Sequence, residues 1–110
     1  MTTIMLFDEY EEKIPVHTQE SIEDYLLRGF PPSGFLEAIL TNNLYRATRH
    51  SDHINFLLLG QITKWILTNA PVGSFGNVRT VENWLADTDN RRTQYSDKIT
   101  KKYMWEKLCD

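Results

Sequence analysis

The chain has 110 residues, 41% of them hydrophobic and 25% charged, which suits one domain with a small core and leaves no room for two. Its formal charge of −3 argues against a protein that grips nucleic acid non-specifically, because such binding rests on neutralising phosphates. The single cysteine, Cys109, excludes an internal disulfide, and the apolar stretch 54–66 is broken by Asn55, Gly60, Gln61, Thr63 and Lys64, so it is too short and too polar for a membrane span.

In chain order, residues 1–24 carry Asp8, Glu9, Glu11, Glu12, Glu20, Glu23 and Asp24 against Lys13 alone. Such a strip is either a solvated face or an acidic surface for a basic partner. Within it, residues 3–7 are apolar or β-favouring and suit a short edge strand or an extended arm, which Pro15 ends. No basic region followed by an apolar one is visible, so the expected location is the cytoplasm. The division expected is an acidic arm over 1–14, a core over 15–86, and a linker plus C-terminal helix over 87–110.

Thr18 is a candidate N-cap, and Ile22, Tyr25 and Leu26 follow at helical spacing. Gly29 suits the residue just past that helix, and Pro31-Pro32 stops it continuing. Pro32, Ser33 and Gly34 open a second helix whose Leu36, Leu40, Leu44 and Ala47 make one apolar line. Ser51 and Asp52 cap a third and central helix, with Ile54, Leu57, Leu58, Ile62, Trp65 and Ile66 as a wide apolar face, ending at Asn69-Ala70-Pro71. This helix and the second are expected to hide their apolar sides against each other.

Residues 72–76 form a loop in which Gly73 and Gly76 permit tight turning and Phe75 plugs the core. The loop lacks the Lys-Ser/Thr of a phosphate cradle. Asn77 caps a fourth helix that buries Val81, Trp84 and Leu85, and residues 87–95 read as a polar linker. Ser96 is the candidate cap of a last helix, in which Lys98, Lys101, Lys102 and Lys107 surround Ile99, Tyr103 and Leu108. The fold expected is all-α, an irregular bundle of four to five helices with a short N-terminal extended arm.

Two constellations could carry recognition. Asn42, Asn43, Asp52 and Asn55 are polar residues among apolar lines, and two adjacent asparagines inside a helix need a reason. They either satisfy backbone groups of a nearby loop or recognise a ligand, since an amide both donates and accepts. Arg46, Arg49, His50 and His53 add a basic patch whose arginine forks suit phosphate or carboxylate. Read as a metal site, His50 and His53 fall short of the three or four ligands zinc needs. No nucleophile stands in a catalytic setting, so the expectation is a protein that is not an enzyme and uses no cofactor. Trp105 sits among lysines and is a candidate anchor for a homodimer contact.

Over about residues 15–86 the chain resembles a family of small bacteriophage proteins of unassigned function. The run starts at Pro15, His17, Thr18, Tyr25, Gly29 and Pro31-Pro32, and continues through Gly34-Phe35-Leu36, Ala38, Leu40, Asn42, Leu44, Ala47, Asp52 and Asn55. It ends with Trp65, Asn69, Pro71, Gly73-Ser74, Gly76 and Trp84-Leu85. The family pattern often has Gly at position 33, Asp at 43, Ala at 51 and Trp at 75, where this chain has Ser33, Asn43, Ser51 and Phe75. The resemblance implies a viral setting and an accessory role on host machinery or host defences, and no catalytic residue. The leading expectation is therefore a phage-type protein that binds and inhibits a host protein complex. The alternatives are a sponge for a nucleotide-type small molecule and a DNA-binding helical protein, the latter set against by the net acidity.

Overall fold

Proline sets where the first helix begins. In a computed structural model, which describes residues 5–7 and 14–109 apart from the side chains of Lys107 and Cys109, helix α1 spans Val16–Glu23. Pro15 precedes it with φ −54°, and its carbonyl accepts from the N–H groups of Thr18 and Gln19 at 3.0 Å. Thr18 therefore lies inside the first turn, not at its cap. Its buried hydroxyl donates to Asn55 Oδ1 at 3.1 Å instead.

α1 runs into a π-helical turn over Asp24–Arg28, which ends at Gly29 in the left-handed conformation, φ 71°. The N–H groups of both Gly29 and Phe30 reach back to Asp24 O. Three successive apolar side chains, Tyr25, Leu26 and Leu27, are buried here because other elements cover the turn from several sides. Tyr25 ties two of them. Its hydroxyl donates to Ser74 O at 2.6 Å, and its own carbonyl accepts from Trp84 Nε1 at 3.2 Å. Burial pushes the Tyr25 phenol far above its ordinary value, so it stays a donor.

The two asparagines divide the expected second helix. α2 covers Gly34–Leu40 and α3 covers Leu44–His50. Asn42 takes the left-handed conformation, φ 63°, its N–H bonds Ile39 O, and the Asn43 N–H bonds Ala38 O at 2.8 Å. This pair of bonds is the Schellman closure of a helix C-terminus. Asn43 then starts the next helix by accepting from Arg46 N at 3.0 Å. The two caps answer why adjacent asparagines stand there.

The expected third helix is also two. Asp52 caps α4, His53–Leu57, by accepting from Asn55 N at 2.7 Å, and the chain kinks at Leu58 before α5, Leu59–Asn69. Ala70-Pro71 ends α5, as the sequence indicates. In the loop that follows, the Gly76 N–H donates to Leu40 O at 2.7 Å and so satisfies a carbonyl at the end of α2. Asn77 caps α6, Val78–Ala86, by accepting from Thr80 N at 2.9 Å.

The segment expected to be a linker is mostly helix. α7 spans Arg91–Cys109, and Ser96 lies inside it. The start is organised by Asp87, φ 55°, whose carboxylate accepts from the N–H groups of Arg92 and Thr93 and from the Thr93 hydroxyl. The Thr93 hydroxyl holds that carboxyl below the usual range. Arg92 turns back to donate from Nε to Trp84 O at 3.1 Å. A Cβ on Gly29 would stand 2.5 Å from the Arg92 guanidinium carbon, so the left-handed backbone favours glycine there and any larger residue would displace the Arg92 side chain.

The fold is all-α, with no strand among the described residues. Of the expected arm, residues 5–7 lie on the body outside any helix or strand, with a bend at Leu6, and Phe7 stacks on Trp65 with ring centroids 4.2 Å apart. One core gathers Ile22, Tyr25, Leu26, Leu36, Leu40, Ala47, Ile62, Trp65, Ile66, Val81 and Trp84. α7 packs mainly on the π turn, with a smaller contact on α6, and α2 packs on α3. No helix among the described residues is long and apolar enough to cross a membrane.

Candidate interaction surface

The residues that the sequence groups as a polar site do not converge on one cavity. Asn42 lines a cleft of about 240 Å³ with Ile39, Thr63, Ile66, Leu67, Phe75 and Gly76. An adjoining smaller cleft shares Ile39, Asn42 and Thr63 and adds Asn43, Leu44, Ala47 and Leu59. Asn55 is buried elsewhere, where it lines a cleft with His17, Thr18, Ser21 and Ser33. Asn43, Asp52 and Asn55 each spend a side chain on the fold, as two caps and a partner for Thr18. Arg46, Arg49, His50, Asp52 and His53 line none of these three clefts.

What α3 and α4 do present is a set of exposed side chains. α3 and α4 are fixed to the body through few side chains. In α3 only Ala47 is buried, and in α4 only Asn55. Everything else on them faces outward. Leu44 is 67% exposed, against the expectation that it continues the core line of Leu36 and Leu40. Helix α3 starts afresh after the Schellman turn, so its phase does not follow from α2 and the line of apolar residues is cut. For the same reason Ile54 and Leu57 are exposed, and the wide core face expected of the third helix shrinks to Ile62, Trp65 and Ile66.

Tyr45 is 91% exposed, and Phe56 is also largely exposed. On the same two helices Arg46, Arg49, His50 and His53 are exposed as well. Arg46 makes a long ion pair with Glu37 at 3.7 Å, worth little at such exposure. Aromatics and arginine beside exposed leucines are the composition of the centre of a protein–protein interface, whereas scattered single apolar residues would need no explanation.

The acidic strip fares differently along its length. Asp8, Glu9, Glu11 and Glu12 lie outside the described residues. Glu20 is half-buried, and Asp24 is half-buried and paired with Arg28 at 3.0 Å. Glu23 is not on a surface at all, being 0% exposed, because it faces the core side of α1 next to Ile22. Both of its oxygens accept from Met5 N, at 2.9 and 3.0 Å. Burial raises its carboxyl above the ordinary 4.5, an effect that the bonds from Met5 and Leu6 and the charge of Arg28 oppose. Sequence reasoning placed Glu23 with its acidic neighbours and missed this role. The available signal was its position one residue after Ile22 and three before Leu26.

Trp105 is 67% exposed on α7, with Met104 and Leu108 beside it. Among the described residues no group of three or more His, Cys, Asp or Glu side chains is placed to hold a metal. No known protein family, curated protein or solved structure matches the chain.

Proposed function

We propose that this chain is a non-catalytic, phage-type accessory protein that acts in the host cytoplasm by docking α3 and α4 onto a host protein complex, one of anti-phage defence. The observation that supports this most is the exposure of Leu44, Tyr45, Phe56 and Leu57 among Arg46, Arg49, His50 and His53, on two short helices anchored by Ala47 and Asn55. Capped helices held at single points present such side chains without lending them to the core. Burying a Tyr or Phe of this exposure against a partner is the kind of contact that dominates binding energy. The sequence resemblance to small phage proteins supplies the setting.

The nucleotide-sponge alternative draws less support. It needs the asparagine amides and the arginine forks around one ligand, and these groups are divided between clefts and outer surface.

The test compares the wild-type chain with a Tyr45→Glu/Phe56→Glu variant in bacteria that carry defence systems. The wild type is expected to restore phage plating and to retain a host protein on affinity capture, and the variant to do neither while keeping its helical circular dichroism. Equal capture of the same partner by both chains would remove α3 and α4 as the docking surface. No effect of the wild type on any defence system would remove the proposed role.

A further inference from the structure

Glu23 is the most deeply placed charge of the described chain, and the docking surface makes no use of it. Its carboxylate is fully buried and pairs with no cation among the described residues. Arg28 acts on it only through space, as does Asp24 with the opposite sign, and from α7 the group that feels its charge is the Tyr95 phenol. Its bonds go to backbone N–H groups of Met5 and Leu6. A buried carboxylate without an ion pair is an expensive way to hold three residues of chain, since an apolar side chain would cost nothing to desolvate.

Residues 5–7 belong to no helix or strand, and Phe7 secures the far end by stacking on Trp65. Met5 and Leu6 also form one wall of a cleft of about 320 Å³, whose other walls include Trp65, Tyr95, Lys102 and Tyr103 from α5 and α7. If residues 5–7 lifted away, this cleft would join the slots vacated by Leu6 and Phe7 and become one groove along α5 and α7, lined by Trp65, Tyr95 and Ile99 together with Asn69, Lys102 and Glu106.

We propose that residues 5–7 are a releasable strap, latched by the Glu23 carboxylate at one end and the Phe7–Trp65 stack at the other, over a groove between α5 and α7. A segment that joins no helix or strand among the described residues, held by the Glu23 bonds and by the packing of Leu6 and Phe7, is of the kind that opens locally, below the energy of global unfolding.

Native-state hydrogen exchange of the full chain, read at single amides by NMR, tests this. The Met5 and Leu6 amides are expected to exchange at least about tenfold faster than those of Tyr25 and Leu26, with little dependence on low denaturant, as a local opening requires. Phe7→Ala is expected to speed the Met5 and Leu6 amides further while leaving the Tyr25 and Leu26 rates in place. Glu23→Ala is expected to do the same where it folds, and Phe7→Ala decides the matter where it does not. If the Met5 and Leu6 amides share the rates and denaturant slope of the core, or if Phe7→Ala accelerates all four equally, residues 5–7 are part of the cooperative core and there is no strap.

Discussion

The π turn at Asp24–Arg28 and the α3–α4 pair use polar groups in opposite ways. Around the π turn several polar atoms work between distant elements. Tyr25 reaches the loop at Ser74, Trp84 reaches Tyr25, and Arg92 reaches Trp84, so that one chain of bonds joins the π turn, the loop before α6, α6 and α7. At α3 and α4 the caps act locally, Asn43 and Asp52 each serving the helix that immediately follows, and Asn55 makes the longer-range bond to Thr18. Long-range bonds make a region that fails together, whereas local caps make a region that holds its own shape and leaves its apolar side chains to others.

The sharpest way to break this contrast is at Trp84. Trp84→Ala empties a core site and strips a partner from Tyr25 O, and is expected to cost about 3–5 kcal/mol in chemical denaturation. A loss below about 1 kcal/mol would show that the bonded chain is not the centre of stability. In the α3–α4 pair the costliest change should be at a cap. Asp52→Ala is expected to cost about 0.5–2 kcal/mol, with the loss confined to amides of α4 in hydrogen exchange.

Glu23 sharpens the comparison through pH. Its folded carboxyl lies above the ordinary 4.5, so the folded chain holds this proton more tightly than the unfolded one. The stabilising contribution is complete below about 4.5 and is lost as pH rises through the folded value. Glu23→Gln should remove that part of the slope in a series of melts from acid to neutral pH, and an unchanged slope would assign it to other groups. Smallest of all, Tyr45→Ala or Phe56→Ala should change stability by no more than about 0.5 kcal/mol, since neither side chain is buried. A larger loss would mean that these side chains serve the fold.

Much of the helix punctuation was legible in the residues. Gly29, Asp52, Asn77 and the Asn69-Ala70-Pro71 stop act where their chemistry indicates, because caps depend on a few neighbouring dihedrals. The breaks at Asn42-Asn43 and Leu58 were not read, since the apolar spacing runs across both and suggests continuous helices. A period says which residues could share a face, but a two-residue turn resets the phase, and Leu44 and Ile54 then point away from the core. The start of α7 was also missed. Asp87 caps it from a left-handed turn through bonds to residues five and six positions on, a reach that no short sequence signature describes. Arg46, Arg49, His50 and His53 are exposed, as polar side chains on short helices commonly are, whereas Leu44, Ile54 and Leu57 are exposed where the apolar spacing points to a core face.

Gly29 shows how little matter can decide the assembly. Where another residue would carry a methyl group, the guanidinium of Arg92 passes on its way to the Trp84 carbonyl. The seating of the terminal helix is thus gauged by one missing carbon atom at the far side of the chain. A library of every amino acid at this position should favour glycine, with asparagine and aspartate, which take the same left-handed region at Asn42, Asp87 and Asn90, tolerated next best.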